Sequence, residues 1–206
     1  MKKIFTTLFM VMGIYASSHA QNKSTGNEFG IGIGYNWAYV TSSNQSTNAV
    51  SGFNIGIHND FYFSDRWSLK AKATYDQKGW ANGFLNVGAT NYQNVDYKLN
   101  YVTVPVMANW HFGKTRNWYL NFGPYIGFLT TATVKIPNGT NVDVKQVFNS
   151  VDGGLDVGIG VKFPVSSRSK FYIEYDGQSG LGNIFQNSTG GSIQSVRGSF
   201  NVGLTF

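Results

Sequence analysis

The 206-residue chain has no cysteine, which excludes disulfides, thiol chemistry and a lipid anchor carried on Cys. Only 13% of its residues are charged, about half the share usual in a soluble globular protein. Prolines number four and histidines three; His19 falls in the N-terminal segment, and neither His58 nor His111 has a metal-ligand partner at useful spacing. No hydrophobic run is long: residues 4–15 are mostly apolar, short of the ~20 needed to cross a bilayer as a helix. No cluster of Lys and Arg stands out. The formal charge of +6 includes Lys2 and Lys3, and without them 14 basic residues face 10 acidic ones.

What is present begins with a compartment. Lys2 and Lys3 open a short basic start, the apolar stretch follows, and small residues at Ser18 and Ala20 precede Gln21. This is the pattern of a secretory signal over residues 1–20, cleaved between Ala20 and Gln21. An exported chain does not meet nucleic acid. Residues 21–27 are expected to form a short N-terminal segment, and residues 28–206 the folded unit.

From Phe29 onward the chain alternates with period two, the signature of strands covered on one face. In EFGIGIGYNWAY, Phe29, Ile31, Ile33, Tyr35, Trp37 and Tyr39 share one face, with glycines, Asn36 and Ala38 on the other. Seven further runs repeat the pattern: GFNIGIHNDFYF, WSLKAKATYDQK, DYKLNYVTVPVMANWHF, WYLNFGPYIGFL, GLDVGIGVKF, KFYIEYDG and SVRGSFNVGLTF. The fourth shifts phase near Tyr101, which predicts a β-bulge there. Short turns at 64–66, 113–117 and 165–169 alternate with long polar loops at 41–50, 79–96, 130–151 and 179–194. The GIGIG of the first run is no nucleotide fingerprint, because no helix follows it.

This layout predicts an all-β fold, an eight-stranded antiparallel up-and-down β-barrel. A soluble barrel would hide its apolar rows inside, and a transmembrane barrel would turn them to lipid. The opposite rows are mostly glycine, asparagine, serine and alanine with scattered charges, unlike a solvated exterior and suited to a narrow packed lumen. About 12 residues at ~3.3 Å each, tilted about 40–45°, rise roughly 28–30 Å and cover a ~25 Å apolar band. Trp37 and Tyr39 toward the loops, and Phe63, Trp67, Trp110, Trp118 and Phe163 toward the turns, fit two interfacial girdles. The prediction is therefore a transmembrane barrel of a Gram-negative outer membrane, with long loops extracellular and termini periplasmic.

Asp60, Lys70, Lys72, Asp76, Asp156, Lys162, Glu174 and Arg197 fall on the inward rows, where buried charges need partners. Asp60 and Lys70 are expected to pair across the turn at 64–66, and Lys162 with Glu174 across that at 165–169. Arg197 is expected to meet Glu174 and Asp176. The set predicts an ionic, side-chain-filled lumen with a structural role. His58 shares the inward face with Asp60 and is expected to be a hydrogen-bonded core histidine, away from any acyl chain. His111 is expected to be a polar cap beside the turn-end girdle. Phe200, Val202, Leu204 and Phe206 alternate outward to the last residue, a pattern expected to close the barrel and to signal to the barrel assembly machinery.

LNYVTVPVMANWHF followed by WYLNFGPYIGFL, then DVGIGVKF and a Phe-terminal strand, resembles the PorT-like outer-membrane β-barrel family of Bacteroidota. The segment 101–105, the Gly123-Pro124-Tyr125 step and YDGQSGLGNI at 175–184 carry the likeness, which spans the mature chain. The resemblance implies outer-membrane location and barrel fold; its motifs are structural. The functional expectation is a non-enzymatic surface-loop or accessory protein of the envelope, without catalytic residues, cofactor or metal. Its expected partners are outer-membrane lipid, the assembly machinery, and another envelope protein engaged through the four loops. Those loops carry Trp80, Phe84, Leu85, Tyr92, Val134, Ile136 and Phe185 among polar residues. A narrow channel for small solutes is the alternative, and an outer-membrane lipid-modifying enzyme the third.

Overall fold

The computed structural model describes residues 26–42, 47–88, 90–136, 139–186 and 191–206, the side chain of Val87 excepted; the expected cleavage site at Ala20 and Gln21 lies outside them. Its strands are β1 (Asn27–Thr41), β2 (Val50–Tyr62), β3 (Trp67–Val87), β4 (Thr90–Phe112), β5 (Trp118–Lys135), β6 (Asn141–Asp143), β7 (Val151–Pro164), β8 (Lys170–Gly180) and β9 (Gln194–Thr205). Eight of them form a closed antiparallel ring, β1-β2-β3-β4-β5-β7-β8-β9, in which every strand but the closing pair neighbours the next in sequence. The ring closes where β9 pairs with β1 from Gly30↔Thr205 to Thr41↔Gln194. Backbone bonds between Phe29 and Phe206, at 2.8 and 3.2 Å, extend the seam by one step. Such closure leaves no sheet edge to satisfy along the ring.

The alternation places the side chains as period two demands. Ile33, Val157 and Phe200 point outward, as do the other members of the apolar rows. Asn36, Asp60, Lys70, Asn109, Asn121 and Glu174 point inward and are buried. The inner glycines make room for large rings. A Cβ at Gly32 would stand 2.0 Å from the Tyr172 hydroxyl, and one at Gly160 would stand 2.3 Å from Cζ of Tyr119.

Two of the expected loops are not loops. β3 and β4 stay paired up to Val87↔Thr90, so residues 79–87 and 90–96 are the two arms of a long hairpin. β5 runs on to Lys135, and β6 pairs with its last residues, so the described part of the segment 130–151 is largely regular secondary structure. The connections at 41–50 and 179–194 lie between strands as expected.

The phase change near Tyr101 has a different cause from the one expected. Alternate residues of β4 from Val95 to His111 face inward without interruption. What changes is the setting. Below Tyr101 the outward residues are apolar, Val102 to Phe112; above it they are Asn100, Lys98 and Asp96, while Leu99, Tyr97 and Val95 are buried inside. The upper wall is thus a small barrel of the soluble kind stacked on an inverted one. A bulge does lie at this level, but on β5: Asn100 pairs with Thr131 and Tyr101 with Leu129, leaving Thr130 over.

Candidate functional site

All eight charged residues expected inside are inside. In so narrow a barrel, side chains from opposite walls meet, and this decides the pairing. Asp60 and Lys70 do stand opposite each other on β2 and β3. Each nevertheless takes its close partner from β7 or β8. Lys70 Nζ donates to Glu174 Oε2 at 3.0 Å, and Lys162 Nζ donates to Asp60 Oδ2 at 2.8 Å. The expected Lys162–Glu174 pair is not formed. The β7–β8 register sets Gly160 against Glu174 and Tyr172 against Lys162. Arg197 pairs with Asp176, as expected, and with Asp76 at 3.4 Å rather than with Glu174.

The charges form layers along the barrel. At the turn end Lys162 also donates to Glu28 Oε2 at 2.6 Å and to the Tyr62 hydroxyl at 3.1 Å, and Lys170 adds a second cation to Glu28. In the middle, Glu174 accepts from Lys70, Lys72 and, at 2.9 Å, Asn121. Lys72 also reaches Asp176 at 3.2 Å. Asparagines fill the gaps: Asn36 donates to Asp76 at 2.7 Å, Asn109 to Asp60 at 3.1 Å and Asn201 to Asp176 at 3.0 Å. Toward the loop end Lys78 and the Tyr125 hydroxyl both donate to Asp152, at 3.4 and 3.0 Å. Glu28, Lys78 and Asp152 were missed from sequence. Lys78 shares the parity of Lys70, Lys72 and Asp76, which is the signal that finds it.

Above this column sits an apolar cap. Trp80 stacks on Tyr97 with centroids 4.2 Å apart, and Phe148 and Phe185 meet the pair edge-on. Val40, Leu99, Leu129, Val134, Ile136 and Ile184 complete it. Several residues read as loop apolars are therefore the walls of a small core. Phe84, at 73% exposed, is not; it stands out near the hairpin tip.

His58 and His111 both lie inside the lumen. His58 meets Tyr172 edge-on at 5.2 Å, and its Nε2 has no hydrogen-bond partner among the described residues, so it is packed against a ring rather than hydrogen-bonded through that atom as expected. His111 faces inward, 3.1 Å from the Ser68 hydroxyl, rather than capping the girdle. Both members of this Ser–His pair are buried in the lumen, at 0% and 2% exposed. Among the described residues no group of three or more metal-ligating side chains gathers. Phe200, Leu204 and Phe206 project outward, with Val202 half-buried in the same row beside the seam.

A family model described as an outer membrane protein beta-barrel domain matches residues 19–186. Among solved structures, Neisserial surface protein A (NspA) superposes with a TM-score of 0.50 at 18% identity, over 88% of this chain and 99% of that one. The outer membrane protein OprG of Pseudomonas aeruginosa does so with a TM-score of 0.51 at 12% identity, over 90% and 97%. At these identities the likeness is one of fold. No curated protein sequence matches the chain.

Proposed function

The chain belongs to the outer membrane protein β-barrel domain family, and from that premise we propose that it is a closed, non-conducting barrel acting through its loop end as a surface or accessory component of the envelope. The observation that carries this reading is the double obstruction of the lumen. An ionic column fills the middle, and the Trp80–Tyr97–Phe148 core covers it. A cavity in the column, lined by His58, Lys72, Asp156 and Arg197 among others, measures about 30 Å³, room for a water or two. The same occlusion speaks against the narrow-channel alternative, and the buried Ser68–His111 pair speaks against lipid chemistry.

The loop end is built for contact instead. The β3–β4 hairpin carries an outer face of Asp96, Lys98 and Asn100 beyond the apolar band, and Phe84, Val147 and Leu181 are exposed there. A partly apolar rim on an extended hairpin suits the docking of another envelope protein. In this reading the loops are extracellular, the termini periplasmic, and the barrel a PorT-like one. The row Phe200, Val202, Leu204 and Phe206 serves as the assembly signal in the same reading; slower insertion of Phe206→Ala by isolated assembly machinery would support it, and an unchanged rate would remove it.

Purified protein in a planar bilayer is expected to give only the background current, and a steady unitary conductance would overturn the closed barrel. A photo-crosslinker at Phe84 or Leu181 in native outer membranes is expected to yield one adduct of the same mass. The same probe at the outward Ile33 should give lipid adducts only. Lipid adducts at all three positions would defeat the docking role.

A further inference from the structure

The charges of the lumen divide into three groups, and one of them does not balance. At the turn end Lys162 and Lys170 answer Asp60 and Glu28. Toward the loop end Lys78 answers Asp152. In the middle Lys70, Lys72 and Arg197 answer Glu174, Asp176 and Asp76, and Asp156 is a fourth carboxylate without a cation of its own among the described residues. Asp156 is 1% exposed. A lone ionised carboxylate in such a place is among the costliest groups a fold can bury.

Its hydrogen bonding is incomplete in a particular way. Gln178 stands directly opposite on β8 and donates Nε2–H to Asp156 Oδ2 at 2.8 Å. Among the described residues Asp156 Oδ1 and Gln178 Oε1 both have no donor, and both residues line the same small cavity. Two orphaned acceptors on a facing acid and amide lack one hydrogen between them.

We infer that Asp156 is a proton-binding site of the lumen, held as the neutral carboxylic acid and joined to Gln178 in a two-bond ring. Nε2–H donates to Oδ2, and the bound proton on Oδ1 donates to Oε1. One proton removes the surplus charge and satisfies both orphaned oxygens. Other sources of positive charge fit less well. Lys72 and Arg197 line the cavity, so a metal cation there would lie against two fixed cations. Protonated His58 would stand directly opposite the Lys72 ammonium across β2 and β3. Of the remaining titratable groups facing the cavity, Glu174 and Asp176 are already engaged by Lys70, Lys72 and Arg197, and Tyr172 is a neutral phenol.

The test is infrared spectroscopy of the folded barrel in lipid vesicles at neutral pH, with aspartate carboxyls isotopically labelled. A protonated-carboxyl stretch is expected in the native protein and should vanish in Asp156→Asn, whose amide keeps both bonds to Gln178. Urea unfolding gives a second readout. The native state holds one proton more than the unfolded chain, so its folding constant should fall with rising pH by up to about tenfold per unit. Asp156→Asn should lose that share of the slope. Absence of the stretch in the native protein overturns the proposal, whether or not the variant folds. So does a stability that responds to replacing sodium by N-methylglucamine at fixed pH and ionic strength, which would assign a metal cation to the cavity instead.

Discussion

Glu174 shows how a single residue holds this lumen together. Three donors from two other strands, Lys70 and Lys72 on β3 and Asn121 on β5, converge on its two oxygens. Exposed ion pairs contribute little because water competes for both partners. Here Lys70 and Glu174 are each 1% exposed, so neutralising one strands the other. Glu174→Gln is therefore expected to lower stability by about 3–5 kcal/mol, read from urea unfolding in lipid vesicles. Adding Lys70→Met to it should cost less than the two changes do separately, because the uncompensated ammonium is gone and Lys72 keeps Asp176. The identity of these inward residues was legible in the sequence, since parity alone puts Lys70, Lys72, Asp76 and Glu174 on one side. Their partners were not. Pairing by distance from a turn considers only adjacent strands, whereas a narrow ring lets Lys70 on β3 reach Glu174 on β8, across the barrel.

At the scale of the element, β4 is the instructive strand. Its 23 residues keep one parity from Val95 to His111, yet the apolar row passes from the inner face to the outer at Tyr101. A pattern-based reading takes such a switch as a loop followed by a bulge, because it assumes one solvent along the whole strand. The burial pattern fits a strand that passes between two surroundings, lipid on the outside below and water on the outside above, so what must be apolar changes sides. That is why the segments 79–96 and 130–151 read as loops while the other connections and the ring itself were plain. The switch also predicts opposite sensitivities on one face. Val106, in the middle of the outward apolar stretch, should tolerate Val106→Lys poorly, at about 2–4 kcal/mol. Lys98 also faces outward but lies above the stretch and is exposed, so Lys98→Val should stay within about 0.5 kcal/mol. Equal costs at the two positions, measured by unfolding in vesicles, would place both in one environment and refute the division.

For the whole molecule, closure is a property of two seals in series. The ionic column depends on charge pairing, and the cap depends on apolar packing around Trp80, Tyr97, Phe148 and Phe185. The two are chemically independent. Resistances in series add, so opening one leaves the other to set the current. Truncating the cap with Trp80→Ala and Phe148→Ala should loosen the loop end by about 3–5 kcal/mol for each large aromatic removed. Faster hydrogen exchange would then be confined to the loop end, in the upper parts of β3, β4 and β5 and the segments carrying Phe148 and Phe185. The bilayer current of that variant should stay at background, because Lys70, Lys72, Glu174 and Arg197 still fill the section below. Shrinking the column instead, with the paired change Lys72→Ser and Asp176→Ser, removes one charge of each sign and should also leave the barrel closed under its cap. Only the combined variant should conduct, with a small current that falls when sucrose is added to slow ion movement through a widened lumen. A cap variant that conducts alone would show that the column leaks, and a combined variant that stays silent would show that the cavity-bearing middle of the barrel repacks around its losses.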